Sequence, residues 1–102
     1  MFKKTLLMLA LLLAVTAASA APAPSYAKWG AIAVKETMKK YGAEIVDYKH
    51  IGRRTVSADT AEEQFKLWIR AQGGREFGVY VYVRFDPNSE TLRSVRFRES
   101  DR

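Results

Sequence analysis

The sequence predicts an α+β domain, one N-terminal helix packed on a four-stranded antiparallel meander sheet. Three observations predict it. One stretch alone, 26–41, repeats its apolar residues at helical spacing. Later segments are rich in Val, Ile, Tyr, Phe and Thr, and two of them alternate apolar and polar residues. Between them lie Gly-Gly and Asp-Pro-Asn-Ser stretches, which turn a chain back on itself.

The first twenty residues stand apart from that pattern. Met1-Phe-Lys-Lys-Thr5 is a short positive start, Leu6 to Val15 is an unbroken apolar run, and Ala18-Ser19-Ala20 supplies small residues for a signal peptidase. Ten apolar residues, at about 1.5 Å each, reach only half of a roughly 30 Å hydrocarbon core. The expectation is therefore a cleaved signal peptide over 1–20, a spacer over 21–25 and a single domain over 26–102. The product is secreted, extracellular or wall-associated, and has no stable membrane anchor. The chain contains no cysteine, which rules out disulfides and a lipid-modified cysteine alike. Of 17 Lys and Arg residues two fall in the leader, leaving 15 against 11 acids and a net charge of +4. On an exported protein that charge points to anionic polymers or acidic proteins outside the membrane, and not to nucleic acid.

Ala27, Ala31, Val34, Met38 and Tyr41 recur at helical intervals and predict one buried face. Gly30, Ala33, Thr37 and Trp29 widen it, and lysines fill the opposite arc, where Ile32 is the one apolar residue. Gly42 is placed to stop the helix. Residues 43–56 read as a strand of poor alternation, with a bulge or bend at Gly52. Residues 57–61 read as a loop.

The next segment carries two patterns. Thr60-Ala-Glu-Glu63 fits a helical capping box, but Phe65, Leu67 and Ile69 alternate strictly with Lys66, Trp68 and Arg70, which favours a strand. Parity then fixes the hairpin. Val79, Val81, Val83 and Phe85 share an odd-numbered face with Phe65, Leu67 and Ile69 only if the loop has an odd number of residues. A three-residue Gln72-Gly-Gly74 loop satisfies this. It sets Leu67 opposite Val79 and Phe65 opposite Val81 inside. Outside, it sets Arg70 opposite Glu76, Lys66 opposite Tyr80 and Trp68 opposite Gly78. Residues 86–90 form a turn and 92–99 the last strand, which brings Arg96 and Arg98 beside Tyr80 and Tyr82. Val34 and Met38 are expected over Phe65, Val81 and Phe97.

"YAKWGAIAVKETMKKYGAEIVDYKHIGRR", "FKLWIR" and "EFGVYVYVRFDP" together resemble the YqzG/YhdC-like family of small secreted proteins from Bacillus-type bacteria, most specifically in Ala27-Lys-Trp-Gly30 and Phe77-Gly-Val-Tyr80. That resemblance covers nearly all of the mature chain and implies export, but no activity, because the family has no known function. The order of elements also looks like the PepSY domain, which implies a role in regulation at the cell surface or in protease propeptides.

Catalytic and metal chemistry find little purchase. His50 stands alone, without a cysteine or second histidine to complete a metal site. Asp86-x-Asn88-x-Glu90 starts like a calcium loop, but Thr91 stands where glycine is needed and Phe97 where the bidentate glutamate belongs. The acids Glu36, Glu44, Asp47, Glu62, Glu63 and Glu76 are scattered, and no cofactor is implied. What remains is the outer sheet face: Lys66, Trp68, Arg70, Tyr80, Tyr82, Arg84, Arg96 and Arg98. Tyr, Trp and Arg concentrate in binding hot spots, yet the same residues stabilise a sheet by cross-strand stacking. Two roles stay open: a non-enzymatic binding or regulatory module for another secreted or envelope protein, and a structural protein held by charge to anionic cell-wall polymer.

Overall fold

In the computed structural model, which describes residues 23–102, helix α1 (Ala27–Tyr41) lies on one face of a sheet. The sheet comprises β1 (Glu44–Ser57), β2 (Thr60–Arg70), β3 (Glu76–Asp86) and β4 (Thr91–Ser100), in the order β1-β2-β3-β4 with every neighbour antiparallel. The expected leader and its cleavage site lie outside the described residues.

Helix α1 ends where glycine allows it. Gly42 takes a left-handed conformation, φ 57° and ψ 40°, and its N–H donates to the Met38 carbonyl at 2.9 Å. Lys39 and Lys40 sit in the last turn, where their charge suits the negative end of the helix dipole.

The buried side of α1 differs from the expectation. It is formed by Trp29, Gly30, Ala33 and Thr37, not centred on Ala31, Val34 and Met38. Met38 is 46% exposed, so it does not pack over Phe65, Val81 and Phe97. The face is turned by about one residue, roughly 100°. Trp29 decides the orientation: the largest side chain of the helix is 1% exposed and stacks on Phe85 with ring centroids 4.0 Å apart. Gly30 and Ala33 let the helix approach the sheet, and a Cβ at Gly30 would sit 3.3 Å from Phe65 and run into the Tyr48 hydroxyl. Ile32 and Val34 become the two half-buried margins of the turned face, which accounts for Ile32.

The β2–β3 register is the one that parity predicts: Leu67 faces Val79, Phe65 faces Val81, Lys66 faces Tyr80, Trp68 faces Gly78 and Arg70 faces Glu76. Ala71 N–H donates to Arg75 O at 2.8 Å and Gly74 N–H to Ala71 O at 3.0 Å, closing a loop in which Gly73 and Gly74 both take positive φ. Phe65, Leu67, Ile69, Val79, Val81, Val83 and Phe85 are almost wholly buried under α1. They form the core.

Strand β1 slips register at three places, between Ile45 and Asp47, His50 and Gly52, and Thr55 and Ser57. Each bulge resets the inside–outside parity, which is why the alternation was poor in sequence. The loop expected over 57–61 shrinks to Ala58 and Asp59, because Thr60 and Ala61 already belong to β2. Asp59 accepts hydrogen bonds from the Ser57 and Thr60 hydroxyls at 3.0 and 3.2 Å, tightening the turn. Beyond it, Glu62 and Glu63 face Arg54 and Arg53 in register and hold the ladder together near its tip. The alternative helix at Thr60 does not form.

Those two glutamates are 2% and 1% exposed. As neighbours in a strand they point to opposite faces. Glu63 lies on the helix side, 2.5 Å from His50 Nε2 and 2.6 Å from Arg53 Nε. His50 stacks flat on Tyr26, centroids 3.7 Å apart, so the lone histidine fastens the start of α1 to β1. Glu62 lies on the open side.

Candidate binding face

The side chains of the sheet opposite α1 come from the even-numbered residues of β2 and β3, with matching positions of β1 and β4. Among the described residues no helix lies on this face, and at its loop end the C-terminal Arg102 reaches over it, its carbonyl oxygen 2.9 Å from where a Gly78 Cβ would stand. All eight residues expected on it are there, and the structure divides them into two halves of different character.

The half nearest the Gln72–Gly74 loop is neutralised from within. Arg70 Nε donates to Glu76 Oε2 at 3.1 Å and its Nη1 lies 3.7 Å from Glu44. Trp68 Nε1 donates to Glu76 Oε1 at 2.8 Å. The indole N–H, and after it Arg70, hold the Glu76 carboxyl below the ordinary range. Trp68 is half-buried opposite Gly78 and lines a shallow depression of about 210 Å³ with Asp47, Lys49 and Lys66. Tyr80 is flanked on both sides, by Lys66 Nζ at 5.2 Å and the Arg98 guanidinium at 4.4 Å from its ring. Neither Trp68 nor Tyr80 is a freely exposed aromatic, contrary to a face that meets a partner ring-first.

The other half is cationic. Glu62 anchors it: Arg54 Nε donates to Oε1 at 3.1 Å, Arg84 Nε to Oε2 at 2.8 Å and Gln64 Nε2 to Oε1 at 2.8 Å. Burial pushes the Glu62 carboxyl up, and the bonds from Arg84, Gln64 and Arg54 outweigh that and hold it below the usual carboxylate range. Arg96 stands opposite Tyr82, and Arg98 Nε donates to the Tyr82 hydroxyl at 3.2 Å. Among the described residues no carboxylate lies within ion-pair distance of Arg96 or Arg98. A depression of about 470 Å³ runs between these groups, lined by Arg54, Glu62, Gln64, Tyr82, Arg84, Arg96 and Arg98. Four guanidinium groups meet a single carboxylate, which leaves three positive charges unmatched.

Sequence reasoning missed Arg54, Glu62 and Gln64. Parity gave a signal for the last two, since Glu62 and Gln64 share the even-numbered set with Lys66 and Trp68, but the expected loop ended too close to them. Arg54 lies beyond the Gly52 bulge, where parity no longer runs through.

Among the described residues no group of three His, Asp or Glu side chains is gathered to hold a metal ion. The Asp86 carboxylate, first in the calcium-like stretch, accepts the Asn88 and Ser89 amides at 2.8 and 3.4 Å and pairs with Arg93 at 3.2 Å, so it serves the turn. No helix of the described residues is long and apolar enough to cross a membrane.

A family model described as a protein of unknown function (DUF3889) matches residues 6–99. The chain is also 35% identical over 105 residues to "Uncharacterized protein YqzG" of Bacillus subtilis (strain 168), covering 97% of this chain and 96% of that protein. No solved structure matches the chain. The chain belongs to the DUF3889 family.

Proposed function

We propose that this DUF3889 protein is an exported, non-enzymatic binding module that holds an anionic partner on the open face of its sheet. The observation that carries the reading is the Glu62-centred arrangement. Arginines on a solvent face are normally mobile, and holding them in place costs side-chain entropy. Here three of them are fixed by Glu62 or the Tyr82 hydroxyl, in a region where positive charge exceeds negative. Export is supported by the three-part leader pattern of residues 1–20.

Two partner classes fit an exported module: another protein, and an anionic polymer of the envelope. The half-burial of Trp68 and Tyr80 favours the polymer, because the large apolar anchors that a protein contact needs are already engaged by Glu76, Lys66 and Arg98.

A pull-down from secretome and envelope fractions tests the reading, comparing wild type with an Arg96→Ala, Arg98→Ala variant and a Trp68→Ala, Tyr82→Ala variant. The expected result is that the arginine variant loses what the wild type retrieves, and that retrieval falls steeply with salt. Retrieval unchanged in both variants overturns the binding face. Loss confined to the aromatic variant, insensitive to salt, moves the partner to the protein class.

A further inference from the structure

Resting on that reading of the open face, we infer that its ligand is a linear phosphate-bearing polyanion, gripped by Arg54, Arg84, Arg96 and Arg98. Three features of the site select it. The first is extent. Arg54 is on β1, Arg84 on β3, and Arg96 and Arg98 on β4, so the cations cross the whole sheet. With strands about 4.8 Å apart, three spacings come to about 14 Å, longer than one anion and suited to repeated ones.

The second feature is how the guanidinium groups are held. Arg54, Arg84 and Arg98 are each fixed through Nε, the first two on Glu62 and the third on Tyr82. A guanidinium engaged at Nε keeps its Nη1–Nη2 edge for another oxyanion, and that edge makes two parallel bonds to phosphate oxygens. The Tyr82 hydroxyl accepts from Arg98, so its own proton is free to donate into the same depression. Glu62 thus orients donors without cancelling them.

The third feature discriminates against an acidic peptide. On a sheet face the backbone amides are already paired in the ladder, so a peptide laid there finds no partners for its own N–H and C=O groups. The depression is also lined almost wholly by polar and charged side chains, which give the apolar core of a protein interface little to pack on. A phosphate polymer carries its charge along the chain itself and needs no apolar pocket.

The test measures binding of the purified protein to three probes at one ionic strength: long-chain inorganic polyphosphate, poly-L-glutamate of matched charge, and vesicles containing phosphatidylglycerol. Polyphosphate is expected to bind tightest. Arg96→Lys, Arg98→Lys keeps the charge and removes the forks, and neither arginine has an acidic partner to lose. It is expected to weaken polyphosphate binding at least about tenfold, equivalent to about 1.4 kcal/mol, while the melting temperature falls by only a few degrees as Arg98 gives up its bond to the Tyr82 hydroxyl and its stacking on Tyr80. Equal binding to poly-L-glutamate or full affinity in the lysine variant would overturn the phosphate assignment, and preference for the vesicles would overturn the linear polymer in favour of a lipid surface. If polyphosphate fails to bind while the pull-down still depends on the face, the phosphate inference fails alone. If neither assay responds to any face variant, the binding reading falls with it.

Discussion

Replacing Glu62 by Gln should destabilise the protein at neutral pH and leave it almost unaffected in acid. Glutamine keeps the shape and one carbonyl oxygen, so it can still accept from Arg54 or from Arg84, but its amide presents a donor to the other. One charge-assisted bond, worth about 1.5–3 kcal/mol, is lost and the second becomes weaker. Two facts set the size. Breaking a fully buried pair costs about 3–5 kcal/mol because the orphaned charge stays dry. Here the side chains of Arg54 and Arg84 are 56% and 27% exposed and can rehydrate, and the variant no longer has to desolvate a carboxylate. About 1.5–2.5 kcal/mol remains, which lowers the melting temperature of a domain this size by about 10 °C.

The pH dependence follows from the direction in which Glu62 is shifted. Its folded pKa lies below the unfolded value of about 4.3, so its ionisation stabilises the fold above that pH and the contribution disappears as pH falls through the folded value. Urea melts of wild type and variant at pH 7, 5, 4 and 3 should show a constant gap at the first two and a closing gap at the last two. Equal stability at pH 7, or a gap of the same size at pH 3, would refute the reasoning.

Two further predictions concern the helix and the leader. Gly30→Ala should lower the melting temperature although alanine is favoured over glycine inside a helix by about 1 kcal/mol, because the new methyl displaces the Tyr48 hydroxyl and presses on Phe65; a higher melting temperature would contradict the close approach. Protein recovered from culture or wall fractions should begin at Ala21, and an intact mass that retains Met1 would contradict cleavage.

Legibility in the sequence followed the strength of local constraint. The β2–β3 register was readable because two buried faces and a Gly-Gly loop all depend on a parity that no bulge interrupts. The stop at Gly42 was readable because only glycine takes that φ cheaply. The orientation of α1 was not, because Ala, Gly, Val and Met on adjacent arcs leave two faces of similar hydrophobicity, and the choice falls to one three-dimensional contact, Trp29 on Phe85. Glu62 and Glu63 were hidden for a different reason. Glutamate reads as a surface residue in any pattern, and only cross-strand arginines, two of them beyond a bulge, make its burial tolerable. The aromatic content of the open face was visible, but not that Glu76, Lys66 and Arg98 would occupy Trp68 and Tyr80.

The meander also bears on the order in which the chain reaches this fold. Each strand pairs with its neighbour in sequence, and the connections are a few residues long. Closing a short loop loses little chain entropy, so each hairpin can zip from its own turn without waiting for distant segments. With no cysteine, no oxidation step intervenes. The slower event is left to α1, whose Trp29 and Thr37 have no buried seat until β1, β2 and β3 are side by side. A chain that emerges N-terminus first therefore presents its helix before the surface that will hold it exists, and its folding is governed by the arrival of β3.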